Sequence, residues 1–386
     1  MKSKYISKRY WNSISTPMGA SSNLLNKYPD LINFSLGDPD ITTDERIIKK
    51  AFEDALNGHT HYTDFYGVQE LRNAICEYYE EEYNYKIIKD ETMITTSGCH
   101  AMWLIMEAIL DDGDEVIIPS PFFTPYPQQV KLARGVPVFL DTLEEENFQI
   151  NVNKLENLIT NRTKAIIINT PNNPTGICLT RKTMEDIAEI AEKYDLLVIA
   201  DDIYTKFSYN EPFIPITLLE GMRERTITIG SFSKDFAMTG WRIGYILAEP
   251  YIINTIKDIN ENNVFTAPSV SQQAAIHGIK LRNVIQPPMI AEFKKRTYAA
   301  YERLKQLANV TILPPKGTFY LFPNIKATGL TSQELADKIL KEAHVLVLPG
   351  NAFGDCGEGY IRIAVTVGVD KINEAFDRIA KMDIFK

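Results

Sequence analysis

The sequence predicts an α/β fold: a mainly parallel sheet flanked by helices, with a smaller α+β domain packed against it. Two patterns carry that expectation. Between about 45 and 275 short apolar runs alternate with helical periodicity, as in a parallel sheet wrapped by crossover helices. From about 288 a long charged amphipathic stretch gives way to strands and helices mixed together. A chain of 386 residues also exceeds what one hydrophobic core usually supports, so two domains are expected.

In chain order, "TTSGCHAMWLIMEAIL" (95–110) opens on a small polar turn at Ser97 and Gly98 and continues as an apolar helix. Strands are expected at "DEVIIP" (114–119), "VPVFL" (136–140), "KAIIIN" (164–169), "LLVIAD" (196–201), "TITIG" (226–230) and "IGYIL" (243–247). Between the third and fourth of these lies "TRKTMEDIAEIAEKY" (180–194), where Thr180 can cap a helix whose Met184, Ile187, Ala188 and Ala191 share one face. Beyond 288 come a helix at 331–343 and the strands "HVLVLPG" and "GYIRIAV". The segment before 45 is too short to fold alone and is expected to join the smaller domain. The division is therefore 1–44 with 281–386 as the small domain, and 45–280 as the large one.

Fifty acidic residues against 41 basic ones, a formal charge of −9, argue against a polyanion-binding surface, so nucleic acid is not an expected partner. Cys76, Cys99, Cys178 and Cys356 lie far apart, with no C-x-x-C pair and no His/Cys cluster. They read as reduced thiols, and no metal site is expected. The basic start "MKSKYISKRYW" leads into no apolar segment, and no run approaches the roughly 18 apolar residues of a membrane span. A soluble cytoplasmic protein without membrane contact is expected.

Ligands of open parallel sheets bind beyond the carboxyl ends of the strands. Here "AIIIN" is followed by "TPNNPTG", "LLVIA" by "DDIY" and "TITIG" by "SFSK", so Asn173, Asp201, Tyr204 and Lys234 would approach one crevice from three strands. Each alone reads equally well as a turn or cap residue. Turn chemistry does not explain their joint occurrence.

The segments "NTPNNPTG" (169–176), "ADDIY" (200–204) and "SFSKDFAMTGWRIGY" (231–245) resemble, in order, the three central motifs of the class I/II aminotransferases of pyridoxal 5′-phosphate fold type I. The likeness extends from "LGDPD" (36–40) to "YIRIAV" (360–365). The specific part is S-x-S-K with Arg242 eight residues after the lysine; "NPTG" alone is weak. The resemblance implies a seven-stranded sheet, pyridoxal phosphate as cofactor, and transfer of an amino group from an L-amino acid (aromatic, aspartate or a broad range) to a 2-oxo acid such as 2-oxoglutarate.

It also implies roles. A lysine amine condenses with an aldehyde only when unprotonated, so at Lys234, which matches the Schiff-base lysine and later proton carrier, the ordinary pKa of about 10.4 must be depressed or the charge otherwise accommodated. Asp201 matches the carboxylate beside the pyridine nitrogen, since the family spacing from Asp to Tyr selects Asp201 with Tyr204; Asp202 reads as a helix-start residue. Asn173 and Tyr204 match the partners of the cofactor's phenolic oxygen. Ser97 with the N–H groups of Gly98 and Cys99, Ser231 and Arg242 match the phosphate site, where a helix N-terminus and a guanidinium suit an anion. Tyr62, five residues before Gly67, matches a tyrosine that reaches the phosphate from a neighbouring subunit, with Tyr66 its nearby alternative; this implies a homodimer with shared sites.

Phe123 matches the ring stacked on the cofactor, with Phe122 and Tyr126 as alternatives. Arg362 and Gly37, together with Asn173, match the site of the substrate's α-carboxylate; a buried salt bridge is the other reading of Arg362. Because Gly37 and Arg362 come from opposite chain ends, the small domain would close on substrate. Tyr10, Trp11 and Phe65 could line the mouth for an aromatic or broad amino donor. Cys99 stands where some acidic-substrate members carry a basic residue. His100 adjoins the phosphate turn, in a structural role. Two rivals remain: a C–S β-lyase on the same fold, told apart by pyruvate and ammonia released without an acceptor, and a non-catalytic cofactor-binding sensor, which needs an attached DNA-binding domain.

Overall fold

The computed structural model describes residues 3–11 and 27–386. In chain order the main elements begin with β1 (Ile32–Asn33), α1 (Glu45–Leu56), α2 (Gln69–Tyr83), β2 (Thr92–Thr95), α3 (Gly98–Ile109), β3 (Glu115–Ser120), α4 (Tyr126–Leu132) and β4 (Val136–Asp141). Next come α5 (Val152–Leu158), β5 (Thr163–Asn169), α6 (Arg181–Lys193), β6 (Leu197–Asp201), β7 (Thr226–Ser231), β8 (Gly244–Leu247), α7 (Pro250–Glu261) and α8 (Ser269–Leu304). The chain ends with β9 (Tyr320–Leu321), α9 (Ser332–Ala343), β10 (Val345–Leu346), β11 (Leu348–Pro349), β12 (Ile361–Ala364) and α10 (Val369–Ile379).

Seven strands form one sheet in the order β2-β8-β7-β6-β5-β3-β4, and only β8 runs against its neighbours. All six strands read from the sequence are present. The seventh, β2, is four fully buried residues at the sheet edge, too short and too rich in threonine to stand out as an apolar run. Side-chain alternation divides the interior. Val116, Ile118, Ile167 and Ile199 face α3, α4 and α7, whereas Ile117, Ile166, Ile168 and Val198 face α5 and α6. Each such side chain contributes roughly 1.5–3 kcal/mol by leaving water. In α6 the Thr180 side chain accepts from the Thr183 N–H, and Met184, Ile187, Ala188 and Ala191 are all buried.

The charged stretch from 288 is the second half of α8, a 36-residue helix that carries Pro287 and Pro288 inside it. Proline usually ends a helix because it lacks the N–H, which hides this continuity in the sequence. Ala274, Ala275 and Ile279 pack into the core with α1 and α2, and Met289, Phe293 and Leu304 into the C-terminal core. The helix thus runs unbroken across residues 280 and 281. Antiparallel strands β11-β12-β9 form the second sheet, and β1 pairs in parallel with β10, which ties the N-terminal segment to the C-terminal elements.

Candidate active site

The carboxyl ends of β5, β6 and β7 meet the start of α3 and the segment after β1 around a cavity of about 460 Å³. Its lining brings together Gly37, Ser97, Gly98, Cys99, Phe123 and Asn173 with Tyr204, Ser231, Lys234, Arg242 and Arg362. Asp201 is buried and does not itself line the cavity, although Ile203 and Tyr204, which follow it in the chain, do. Tyr62 is not among them: it is 82% exposed, its ring 4.9 Å from that of Phe265. Tyr10 is exposed, Trp11 donates to the Ile6 carbonyl, and Phe65 packs edge-on against Phe265; none of the three lines the cavity.

Lys234 donates to the Gly37 carbonyl. The residue keeps some surface open, but its amine end is enclosed, and loss of water pushes its pKa down to about 8. Asp38 pulls the other way, while Arg242 and Arg362 add to the fall. Arg362 is wholly buried between the rings of Tyr320 and Phe353, each 4.7 Å away. It donates to Asn173 Oδ1 at 3.0 Å and to the Ser35 carbonyl, and its Nε has no partner. No carboxylate touches it, so the salt-bridge reading does not apply. Among the described residues Lys234, Arg242 and Arg362 all lack an ion pair, although all three open on one cavity. Arg242 is exposed, but an unpaired buried cation such as Arg362 is costly, and an anionic ligand would remove that cost.

Asn169, the last residue of β5, accepts from the Asn173 N–H at 2.9 Å and donates to the Asp201 carbonyl at 2.9 Å, setting the loop that presents Asn173. With Asn173 Oδ1 taken by Arg362, its amide N–H₂ remains available to a ligand. The Asp201 carboxyl is pushed up to about 6 by burial, with the Tyr126 hydroxyl and the Ile203 N–H restraining the rise. Tyr126 donates to Oδ2, and Oδ1 is left without a partner. At neutral pH this carboxylate therefore carries its charge with one bare oxygen.

Ser97 caps α3 by accepting from the His100 N–H at 3.3 Å, which leaves the first-turn N–H groups of Gly98 and Cys99 free. Gly244 packs beneath that turn. A Cβ there would lie 2.8 Å from the Gly98 nitrogen and the Gly230 carbonyl oxygen, so only glycine fits. Ser231 Oγ accepts from the Ser233 N–H, and Arg242 donates to the Thr239 carbonyl at 2.8 Å.

Phe122 stacks on Phe139 in the core, and Tyr126 is committed to Asp201, so of the three neighbouring aromatics only Phe123 lines the cavity. Asp202 does not start a helix, contrary to expectation. It is buried with Oδ2 unpartnered, and burial beside Asp201 pushes its carboxyl well up. His100 has no partner for either ring nitrogen, stacks on Trp103, and is held neutral by burial with a pKa near 4.

Sequence reasoning missed three contributors and gave a fourth, Tyr126, only as an alternative to Phe123. Tyr126 stands three residues after Phe123 in a quoted segment, Gln129 on the same helix donates to the Cys99 carbonyl, Asn169 ends its strand, and Tyr320 comes from β9 with no local signal at all. Among the described residues no group of three or more His, Cys, Asp or Glu could hold a metal ion, and no helix is long and apolar enough to cross a membrane.

The crevice can thus seat an anion at a helix N-terminus, dock a carboxylate on a buried guanidinium and present between them an amine whose pKa is lowered to about 8. The profile of the family "Aminotransferase class I and II" matches residues 29–379. An aspartate aminotransferase of Pyrococcus abyssi is 40% identical over 357 residues, covering 92% of each chain. Aromatic-amino-acid aminotransferase 2 of Thermococcus litoralis is 39% identical over 91% of each. The crystal structure of an aromatic aminotransferase from Pyrococcus horikoshii superposes with a TM-score of 0.89 at 39% identity, covering 91% of this chain and 94% of that one.

Proposed function

This chain belongs to the class I and II aminotransferases, and from that premise we propose that pyridoxal 5′-phosphate occupies the crevice, bound through Lys234. When bound, the group supplies an aldehyde that condenses with amines and a pyridinium ring that accepts the electron pair released at the donor's Cα. The residues fit it. The bare Oδ1 of Asp201 suits a protonated ring nitrogen, the free N–H groups of Gly98 and Cys99 with Ser231 and Arg242 suit a phosphate, and Phe123 is placed to cover a flat ring. The observation that carries the reading is the set of three cations without ion pairs facing one cavity, with an orphan carboxylate oxygen behind it.

Lys234 takes the proton from the donor's Cα, a task suited to an amine that is neutral in part near pH 8. Asn173 and Tyr204 offer N–H and O–H to the phenolic oxygen, and Arg362 orients the donor by its α-carboxylate beside Gly37. The donor is an L-amino acid and the acceptor a 2-oxo acid such as 2-oxoglutarate. Relatives named for aspartate and for aromatic amino acids bracket the donor. The cavity carries Cys99 at the helix-start turn where some acidic-substrate members hold a basic residue, which supports a neutral aromatic or broad-range donor.

The active unit is a homodimer in which Tyr62 reaches the partner's phosphate site. Residues 1–44 and 281–386 close on substrate against 45–280. Borohydride reduction of the loaded protein followed by peptide mapping tests the core of this reading: the label belongs on Lys234, and a label on another peptide overturns it. A half-reaction panel tests the donor, since rapid reaction with aspartate and none with phenylalanine or tyrosine would refute the aromatic preference.

A further inference from the structure

Tyr320 enters the crevice from β9, beyond the motifs that identify the site, and three contacts meet on it. Its hydroxyl lies 3.0 Å from that of Tyr204, and among the described residues each is the other's only hydrogen-bond partner. The Arg362 guanidinium stands 4.7 Å from its ring centroid. Gly37 closes over its hydroxyl so tightly that a Cβ at position 37 would come within 1.7 Å of the oxygen. One phenol therefore touches the residue for the substrate carboxylate, the residue for the phenolic oxygen, and the backbone that holds Lys234.

Two neutral hydroxyls at this distance share one hydrogen bond, and the direction decides which proton is left over. If Tyr204 donates to Tyr320, the Tyr204 proton is spent inside the protein. If Tyr320 donates, the Tyr204 proton is free to point into the cavity. A cation over the ring face withdraws electron density and makes that phenol the better donor. Arg362 stands over Tyr320, its guanidinium 4.7 Å from the ring centroid, so Tyr320 is the better donor of the pair.

We propose that Tyr320 is a positioning residue of the transamination site: lying against Arg362, it donates to the Tyr204 hydroxyl and so turns the Tyr204 proton toward the cofactor's phenolic oxygen. This rests on the reading above in which Tyr204 meets that oxygen. It also links carboxylate docking to the electronics of the cofactor, because a carboxylate on Arg362 partly neutralises the cation over Tyr320.

The test is a pH titration of the visible absorbance of the pyridoxal-phosphate-loaded protein, without substrate. Donation from Tyr320 polarises the Tyr204 hydroxyl and strengthens its bond to the anionic phenolic oxygen, so Tyr320→Phe should raise the titration midpoint by roughly a few tenths of a pH unit. On a Tyr204→Phe background the same change should add nothing, because it acts through that hydroxyl. The KM for the amino donor should stay near wild type, since the phenyl ring still lies against Arg362. An unmoved midpoint in Tyr320→Phe, or a shift that adds in full to that of Tyr204→Phe, overturns the proposal. Should Tyr320→Phe fail to load, 3-fluorotyrosine at position 320, a stronger donor of nearly the same size, should move the midpoint down; no movement overturns the proposal. If the wild-type protein shows no pH-dependent absorbance with pyridoxal phosphate, the cofactor reading fails and takes this inference with it. A normal wild-type titration with unmoved variants defeats this inference alone.

Discussion

At Lys234 an enclosed amine with no carboxylate partner releases its proton near pH 8 instead of 10.5, and the sign of the resulting stability change follows directly. Between those values the unfolded chain holds the proton and the folded chain does not, so the cofactor-free protein gains stability as pH rises through that window. Lys234→Ala should lack this rise. Denaturant unfolding of both proteins at several pH values would show it as a stability difference that shifts toward wild type between pH 8 and 10.5. A difference that is flat across the window would mean that the amine is not perturbed. At Arg362 the buried guanidinium has an unpartnered Nε, and its role in docking gives a second expectation. Losing a buried charge-assisted contact costs about 3 kcal/mol, so Arg362→Ala should raise the KM of the amino donor roughly a hundredfold. Arg362→Lys should rescue poorly, because a point charge cannot replace the fork. Steady-state kinetics with KM unchanged in either variant would move the carboxylate site elsewhere. Lys234, Asn173 and Arg362 were legible because each belongs to a short local motif. Tyr126 and Tyr320 were not, because nothing adjacent in sequence distinguishes them from core aromatics.

The inner parallel strands β3, β5, β6 and β7 are buried on both faces, which is why they read as continuous apolar runs. The edge strand β2 and the two-residue β9 are too short to carry periodicity, and the paired prolines mask the middle of α8. The start of α3 is the element on which anion binding depends. It lies directly on β8 through Gly244, where a methyl group would strike the Gly98 nitrogen. Gly244→Ala should therefore displace the first turn of α3 and weaken pyridoxal phosphate binding by tenfold or more, about 1.4 kcal/mol, before it disturbs the rest of the sheet. Fluorescence titration of the cofactor, read beside far-ultraviolet dichroism, checks this. Wild-type affinity in that variant would show that the turn tolerates the shift.

Across the whole molecule, Tyr62 poses the clearest question, since it is 82% exposed and does not line the cavity of its own chain, as expected of a residue that serves a neighbouring subunit. Its ring meets Phe265, with Val264 and Phe65 close by, an apolar patch that a second copy of the chain would cover. If the partner's phosphate lies there, Tyr62→Ala weakens cofactor binding in a site the residue does not touch within its own subunit. Mixing subunits of Tyr62→Ala with subunits of Lys234→Ala should then restore activity, because one of the two shared sites in the mixed dimer is intact. Unchanged cofactor affinity in Tyr62→Ala, or mixtures no more active than either parent, would sink the shared-site reading. The same scale explains why the N-terminal segment cannot be understood alone: among the described residues β1 pairs with β10, more than three hundred residues later.

By itself the sequence determined the fold class, the family, and the residues at the strand ends, since apolar runs, turn residues and short motifs are local and survive in a linear reading. Tertiary structure alone decided that three cations share one cavity without carboxylate partners, that Asp201 keeps one bare oxygen, and that Tyr320 completes the site. The physical reason is distance along the chain. The bond from Tyr126 to Asp201 joins residues 75 apart, and that between Tyr204 and Tyr320 joins residues 116 apart. Burial and the loss of water that shift the Lys234 and Asp201 pKa values arise only when such distant segments close over the same few atoms.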